Sequence, residues 1–305
     1  MIDILSKRYL YFLLSFIIIV PGLVFLAVDG LPLSIDFTGG SLFEITFSDG
    51  QALDTEAINA IYEEAGIDDA QVTTTDTGSV IIRSSFLTNE VRDQILTAMK
   101  SEAGGDVTVI SFDSVGPTIG AQVASRAALA VGVAALGVVV YITLAFRKVQ
   151  NAFRYGVCAV IAMAHDVAVV FSVAGIGARF FEWQIDALFL TALLTVIGFS
   201  VQDKVVVFDR IRENATSLRR LEYETLVNHS IVQTLQRSIN TQLMTVEFLL
   251  LSLALFGGVT LQEFAVILLV GLLSGTYSSI FVAAPILVLW EKREWSTWFG
   301  RGASA

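Results

Sequence analysis

Two charged side chains interrupt an apolar stretch in the second half of the sequence. Asp203 and Lys204 stand within the run from Leu193 to Phe208, whose other residues carry no charge. In hydrocarbon, a charged side chain costs at least about 2.5–3.5 kcal/mol on insertion scales. Side chains that cost this much are rarely kept for solubility or packing, and a carboxylate can bind and release a proton. The run therefore indicates an ion or proton pathway as the first hypothesis.

Ionisable side chains also stand in two other apolar stretches. His165 and Asp166 lie midway along one of them, and Arg237 stands where a later one begins. In a low-dielectric interior, a carboxylate holds its proton with a strength that depends on a nearby cation. We therefore predict that Asp203 and Arg237 act as a pair in proton passage, with Asp166 and His165 on the same pathway. The alternative is a structural ion pair between Asp203 and Arg237 that holds two helices together without transport.

Two further intramembrane charges are harder to place from the sequence. Lys204 follows Asp203 directly, so on a helix the two side chains point about 100° apart. We predict that Lys204 extends toward the cytoplasmic membrane surface, with a functional role as the alternative. Glu247 lies ten residues beyond Arg237, about 15 Å along a helix, and thus nearer the level of His165 and Asp166 than that of Asp203. An interior relay and a buried neutral carboxyl both stay open for Glu247.

The composition is that of an integral membrane protein. Hydrophobic residues make up 54% of the 305 residues, charged residues 16%, and the mean hydropathy is +0.71. About 20 apolar residues cross a hydrocarbon core of about 30 Å. Membrane lipid is the expected surrounding, and the net charge of −10 gives no reason to expect nucleic acid as a partner. Six stretches are long enough to span: Tyr9–Val28, Val123–Phe146, Ala152–Ile176, Ala187–Phe208, Asn240–Phe256 and Phe264–Trp290.

Basic residues lie on alternate connections between these stretches, and this asymmetry predicts the topology. By the positive-inside rule both termini, including the tail 291–305, are cytoplasmic in a multi-pass protein of the cytoplasmic membrane. The first stretch, within 1–28, is too long an apolar run for a cleaved signal peptide and is predicted to be a retained anchor. The acidic region after it then faces outward. The basic residues that define the inner side are Lys7, Arg8, Arg147, Lys148, Arg154, Arg210, Arg212, Arg219, Arg220, Lys292 and Arg293.

Residues 29–122 have the composition of a small soluble domain. Alternating apolar and polar residues predict strands at 41–47, 70–74, 80–84 and 107–112, with a turn at 75–78. Asp54 and Thr88 are predicted helix caps between strands. The order β-α-β-β-α-β is typical of a ferredoxin-like unit. The predicted fold class is a polytopic α-helical membrane protein with six transmembrane helices and one small α+β ferredoxin-like extracytoplasmic domain, whose expected task is binding or docking.

The five later stretches follow one another within 123–290. Most are joined by short turns, but the cytoplasmic connection 209–238 has apolar residues at near-helical intervals and predicts an amphipathic helix on the membrane surface. Cys158 is expected to be a small buried hydrophobe. The sequence has no metal cluster, phosphate-binding loop or cofactor motif. Small residues predict close helix packing at Gly132, Ala134, Ala135, Gly137, Gly271, Ser274, Gly275, Ser278 and Ser279.

Motifs along nearly the whole chain carry a family resemblance. They are Asp36-Phe37-Thr38-Gly39-Gly40, the V-G-P-x-x-G element at 115–120, His165-Asp166-Val167, the fourth-stretch segment 196–214 that ends in Asp209-Arg210-Ile211-Arg212-Glu213-Asn214, and the turn at 256–258. Each motif alone is weak, but together and in register they resemble the SecF family. SecF proteins are the smaller subunits of SecD–SecF export complexes, within the RND superfamily.

The resemblance implies a fold and a function. It implies an RND-type half of six spans with one extracytoplasmic domain, and a non-enzymatic auxiliary subunit of the Sec machinery. With SecD, such a subunit uses the proton-motive force to promote protein translocation across the cytoplasmic membrane. The implied partners are SecD and the SecYEG channel, with YajC and the translocating preprotein as further ones. The residues implied in proton passage match Asp203 and Arg237.

The sequence departs from the family pattern at two positions. Lys204 stands where a small hydroxyl residue is usual, and Glu247 stands where Ser, Thr or an apolar residue is usual. A cation beside the proton carrier would favour its charged form and so oppose protonation. Two alternative functions stay open: a noncatalytic assembly subunit of the translocon, and half of a small-molecule RND exporter. Whether the outer domain contacts substrate or SecD is also open.

Overall fold

The chain forms two compact units. The computed structural model describes residues 3–47, 53–74, 78–147, 152–242, 248–256 and 259–293. The sheet unit is Leu33–Leu129, and the helical unit is Met1–Pro32 together with Ala130–Ala305. The chain begins in the helical unit with a 3₁₀ turn, Leu5–Lys7, and helix α1, Arg8–Asp29.

The sheet unit has the element order β-α-β-β-α-β after one helical turn. At the start of its second long helix, the hydroxyl of Thr88 accepts a hydrogen bond from the backbone N–H of Val91, as predicted for a cap. Asp54 stands at the other N-cap position without a side-chain cap bond. The predicted turn residues 75–77 lie outside the described residues. The elements are α2 (Ile35–Thr38), β1 (Gly40–Phe47), α3 (Thr55–Glu64), β2 (Gln71–Thr74), β3 (Ser79–Ser84), α4 (Asn89–Ala103) and β4 (Val107–Val115).

The four strands form one antiparallel sheet in the order β2-β3-β1-β4. In the register, Phe43 of β1 lies opposite Ile82 of β3 and Phe112 of β4. The alternation of side chains along a strand sends one set to the helices, which explains why the predicted apolar positions become the core. The buried core comprises Phe43, Ile45, Ile58, Tyr62, Val80, Ile82, Leu87, Ile95, Met99, Ala103 and Val107.

The two glycines that end the D-F-x-G-G element lie where the chain turns from α2 into β1. Gly39 has φ +75° and Gly40 has φ +134°, a region that side chains other than glycine rarely adopt. A Cβ on Gly39 would lie 2.7 Å from the Cα of Pro117, and one on Gly40 would lie 2.7 Å from the carbonyl oxygen of Ser84. In the same segment Phe37 is buried and Asp36 is half-buried. Two motifs distant in sequence therefore pack directly against each other.

The helical unit continues at Ala130, within the first helix after β4. Its helices lengthen the predicted spans at several ends, because capping and turn residues rather than apolar content decide where a helix stops. A π-helical turn, Ser279–Ala283, joins the last two helices just before Pro285. The helices are α5 (Pro117–Phe146), α6 (Ala152–Phe181), α7 (Ala187–Ser217), α8 (Tyr223–Gln242), α9 (Phe248–Phe256), α10 (Val259–Ser278) and α11 (Ala284–Lys292).

Five candidate membrane spans occur among the described residues. They are Leu5–Asp29, Pro117–Phe146, Ala152–Phe181, Ala187–Ser217 and Leu261–Lys292. The sixth predicted span, Asn240–Phe256, includes residues 243–247, among them Glu247, which lie outside the described residues. Its described apolar part is α9. Six spans therefore remain a prediction, whereas the five described helices have the length and apolar composition to cross a membrane.

Close helix packing occurs at only some of the predicted small residues. A Cβ on Gly275 of α10 would lie 3.3 Å from the Cα of Ser200 on α7, and one on Gly271 would collide with the side chain of Val196. In contrast, a Cβ on Gly132 or Gly137 would meet no described atom within 4 Å. Close packing at these two glycines of α5 therefore stays a prediction, because none of the described residues is their partner.

Candidate functional site: a buried charge cluster between helices

Asp166 lies in the middle of α6, and five hydrogen bonds surround its carboxylate. Its Oδ2 accepts bonds from Ser200 Oγ (2.6 Å) and Ser278 Oγ (2.7 Å) and from the ammonium of Lys204 (2.7 Å). Its Oδ1 accepts a bond from Ser274 Oγ (2.7 Å) and lies 3.1 Å from a ring nitrogen of His165. The residue is fully buried. A buried charge is tolerated where it is paired and hydrogen-bonded in this way.

Lys204 is the positive half of this cluster, and its side chain is fully buried. Its Nζ lies 2.7 Å from Asp166 Oδ2, 3.1 Å from the carbonyl oxygen of Ser200 and 2.5 Å from Ser200 Oγ. An ammonium has three protons, and these three acceptors use them all. The prediction that Lys204 extends toward the membrane surface is therefore wrong, because Asp166 and Ser200 provide partners within the bundle.

His165 connects the cluster to α1. Its Nδ1 faces Asp166 Oδ1, and its Nε2 lies 2.9 Å from Ser15 Oγ. A neutral ring can donate from one nitrogen to the carboxylate and accept the Ser15 hydroxyl proton at the other. The ring also stacks on Tyr277, with a centroid separation of 6.1 Å. His165 is thus held on both edges and one face.

Asp203 points away from Lys204, as the 100° helical offset predicts, and lies in a second polar pocket. Its Oδ2 accepts hydrogen bonds from Gln242 Nε2 and Thr276 Oγ1, both at 3.1 Å. Its exposed fraction is only 6%. The two donors, an amide and a hydroxyl, are neutral. Because the side chain is buried, the carboxylate faces neighbouring helices rather than lipid.

Arg237 does not pair with Asp203 in this structure. It lies on α8 with its side chain exposed, five residues before Gln242. Five residues turn a helix by about 140° beyond one full turn, so Arg237 points away when Gln242 points toward Asp203. Both the predicted working pair and the alternative of a structural Asp203–Arg237 ion pair therefore differ from this arrangement, in which an amide takes the position expected for the guanidinium.

The family motif at the end of α7 holds α8 in place. Gln233 of α8 accepts hydrogen bonds from Arg210 Nε (2.7 Å) and Asn214 Nδ2 (2.9 Å), and Asn214 also donates to Ser230 Oγ (2.8 Å). These bonds fix the helix that carries Gln242. The same motif also forms two ion pairs along α7: Asp209 pairs with Arg212, and Arg210 pairs with Glu213.

The sequence reasoning missed Ser200, Gln242 and Thr276 and assigned Ser274 and Ser278 to helix packing only. Ser200 and Lys204 are four residues apart on α7, and Ser274 and Ser278 are four residues apart on α10, so each pair lies on one helix face. Thr276 is offset by about 200° from both serines and reaches the other carboxylate. This i, i+4 spacing of polar residues within apolar helices was the available signal.

The buried polar groups of both pockets are of the kind that marks proton or ion passage. Among the described residues, no three His, Cys, Asp or Glu side chains group closely enough to hold a metal ion. Cys158 is buried, as predicted for a small hydrophobe. The polar interior of the described helices includes two carboxylates, one ammonium, the His165 ring, the Gln242 amide and several hydroxyls.

Comparisons with known proteins agree on one family. The profile described as "Protein export membrane protein SecD/SecF, C-terminal" matches residues 95–293, and the "SecD/SecF GG Motif" matches residues 24–50. Protein translocase subunit SecF of Anaerolinea thermophila is 63% identical, over 99% of this chain and 98% of that protein. The SecF subunit of Thermobaculum terrenum is 44% identical, again over 99% and 98%.

Longer relatives contain a corresponding region within one chain. Protein translocase subunit SecDF of Bacillus subtilis is 33% identical over 96% of this chain, which spans only 38% of that protein. The crystal structure of SecDF from Thermus thermophilus, titled a translocon-associated membrane protein, matches with a TM-score of 0.80 and 32% identity. The match covers 96% of this chain and 39% of the SecDF chain.

Proposed function

The chain belongs to the SecD/SecF family of protein export membrane proteins, and from this premise we propose that it is the SecF-type auxiliary subunit of a protein translocase. Relatives that match it from end to end are SecF subunits. In the SecDF relatives, the matching region is fused to a further part of the same chain. We propose a separate SecD subunit as the main partner, since one RND-type half needs a second half to form a pseudo-symmetric transporter.

We further propose that the protein uses the proton-motive force through Asp203. The observation that carries this proposal is the pocket of Asp203, in which Gln242 and Thr276 are its neutral hydrogen-bond donors. Neutral donors stabilise a carboxylate less than a cation does, so a proton can compete for it. Polar residues inside membrane spans commonly mark such pathways. Arg237, exposed on α8, would approach Asp203 only after α8 rotates or shifts.

Several finer features belong to the same proposal. The sheet order β2-β3-β1-β4 and the order β-α-β-β-α-β support a ferredoxin-like domain. We propose that this domain is extracytoplasmic, that both termini are cytoplasmic, and that six helices span the cytoplasmic membrane. SecYEG, YajC and the translocating preprotein are proposed as further partners.

The test compares Asp203→Asn with Thr195→Val in cells that depend on this subunit for export. Thr195 is a half-buried residue of the same helix, and its hydroxyl donates within that helix to the backbone oxygen of Thr191. We expect Asp203→Asn to slow the export of a signal-bearing reporter in a pulse-chase measurement while the variant still co-purifies with SecD. Thr195→Val should behave like the wild type. Normal export by Asp203→Asn would contradict the proton-carrier role.

The noncatalytic assembly function predicts the opposite pattern. Gly271 packs against Val196, so Gly271→Leu would separate α10 from α7. If the subunit only assembles the translocon, Gly271→Leu should lose the complex and export together, and Asp203→Asn should change neither. Co-purification with SecD, measured beside export for both variants, distinguishes the two functions.

A further inference from the structure

The pair formed by Asp166 and Lys204 differs from the Asp203 pocket in how completely it is satisfied. All three ammonium protons of Lys204 have acceptors, and both oxygens of Asp166 have donors. The two charges also cancel. Protonating Asp166 would remove the counter-charge of a fully buried ammonium, which is costly in a dry interior.

The second observation is mechanical. The pair joins α6, which carries Asp166, to α7, which carries Lys204 and Ser200. Through Ser274 and Ser278 it also joins both to α10. Asp203, next to Lys204 on α7, accepts a hydrogen bond from Thr276 on α10. Helices α7 and α10 therefore contribute to both sites. Fixing these helices at Asp166 fixes the geometry around Asp203.

We propose that Asp166 and Lys204 form a permanent ion pair that carries no proton and that positions Asp203 by locking α6, α7 and α10 together. This inference rests on the proposed proton-carrying function of Asp203 and goes against the sequence-based assignment of Asp166 and His165 to the proton pathway. It assigns Lys204 the role of a positioning residue.

The decisive variant removes both charges together. In Asp166→Asn with Lys204→Met, the amide can donate to one serine and accept from others, because hydroxyl groups rotate to donate or accept. Methionine keeps an unbranched side chain of similar length without the charge. We expect the double variant to regain co-purification with SecD and most of the export that Asp166→Asn alone loses. It should also keep the wild-type dependence of export on pH, since Asp203 and its described donors, Gln242 and Thr276, are unchanged.

A folded double variant that binds SecD and exports nothing would overturn the inference, because a proton-carrying role would then belong to the pair. Wild-type behaviour of Asp166→Asn alone would overturn it as well. The matched comparison is Asp203→Asn, for which Lys204→Met should give no rescue. Rescue of export in that combination would mean that Lys204 serves Asp203 rather than Asp166.

An infrared difference measurement needs no folded double variant. Between pH 8 and pH 5, carboxyls of ordinary pKa near 4 stay largely ionised, so a new protonated-carboxyl band reports a perturbed buried group. We expect no band that persists in Asp203→Asn and shifts on Lys204→Met, because the pair carries no proton. A band that persists in Asp203→Asn and shifts on Lys204→Met would assign protonation to Asp166 and refute the permanent pair.

Discussion

The interiors of the two units differ in kind. In the described part of the sheet unit, apart from the phenol of Tyr62, the buried polar side chains are the serines Ser34, Ser41, Ser79 and Ser84, and the core is apolar. The helical unit instead buries Asp166, Asp203 and Lys204. A soluble domain gains stability by moving apolar groups out of water, a gain that helices in lipid lack. In the helical unit, hydrogen bonds and ion pairs between helices therefore add to the packing that holds the helices together.

This difference predicts how each unit fails. Removing a methyl group should matter most in the sheet unit, where the core is close-packed. Removing one charge should matter most in the helical unit, where the partner charge stays behind in a dry site. The four predictions below sharpen or break that contrast.

The largest effect is expected for Asp166→Asn, at about 3–5 kcal/mol of unfolding free energy, because Lys204 keeps its charge without a counter-ion. Lys204→Met should cost less, since Asp166 keeps donors from Ser200, Ser274 and Ser278 and its contact with His165. Denaturant unfolding in detergent micelles measures both.

The control for this first pair is Asp93→Asn in the sheet unit. Asp93 pairs with Arg92 at the surface, where its side chain is 65% exposed, so its loss should change stability little. Equal costs for Asp166→Asn and Asp93→Asn would mean that the buried pair contributes no more than a surface one.

Ile82→Ala should follow, at about 3 kcal/mol, because it removes a fully buried side chain from the centre of the sheet and leaves a cavity. Hydrogen exchange of the full chain in detergent should show the loss of protection in β1 and β3. Val109→Ala, at an exposed position of β4, is the matched control. Uniform loss of protection in both units would contradict independent cores.

The strands and the buried charges differ in how far the sequence could predict them. A strand such as β1 follows from local alternation, so its position was found to within one residue of Gly40–Phe47. The partner of Lys204 depends instead on which face of α6 meets which face of α7. A single sequence gives the helical phase of Lys204 but not the rotation of the neighbouring helix, and for this reason the prediction of an extended Lys204 was wrong.

Arg237 and Gln242 show the same limit on one helix. The charge of Arg237 made it the expected partner of Asp203, and family resemblance pointed to the same residue. The helix places Gln242 there, since α8 is held by Asn214 and Arg210 in one rotation. Charge alone does not reveal which residue of a helix faces inward, and Gln242 carried no charge that would single it out.

Ser278→Ala and Ser274→Ala should each have a smaller effect than loss of either charge, at about 1–2 kcal/mol, because each removes one donor from a different oxygen of Asp166. Ser252→Ala is the control, since Ser252 is exposed and bonds only to the carbonyl oxygen of Phe248 among described partners. Thermal unfolding in micelles ranks the three variants. Losses that match those of Asp166→Asn would indicate that the cage of hydroxyls, and not the ion pair, carries the stability.

The smallest effect is expected at the surface of the helical unit, where charges should behave as in the sheet unit. Glu224 at the start of α8 pairs with Lys292 and, at 2.7 Å, with Arg8. The hydrogen bond from Lys292, followed by that from Arg8, lowers the pKa of Glu224 below its ordinary value of 4.5. Because the folded-state pKa is the lower one, the stabilisation is present above pH 4.5 and is lost as the pH falls through the folded value. Glu224→Gln should therefore cost under about 1 kcal/mol at neutral pH and flatten the acid limb of the stability profile. A cost near that of Asp166→Asn would show that surface pairs also hold this unit together, and the contrast between the two interiors would then not explain its stability.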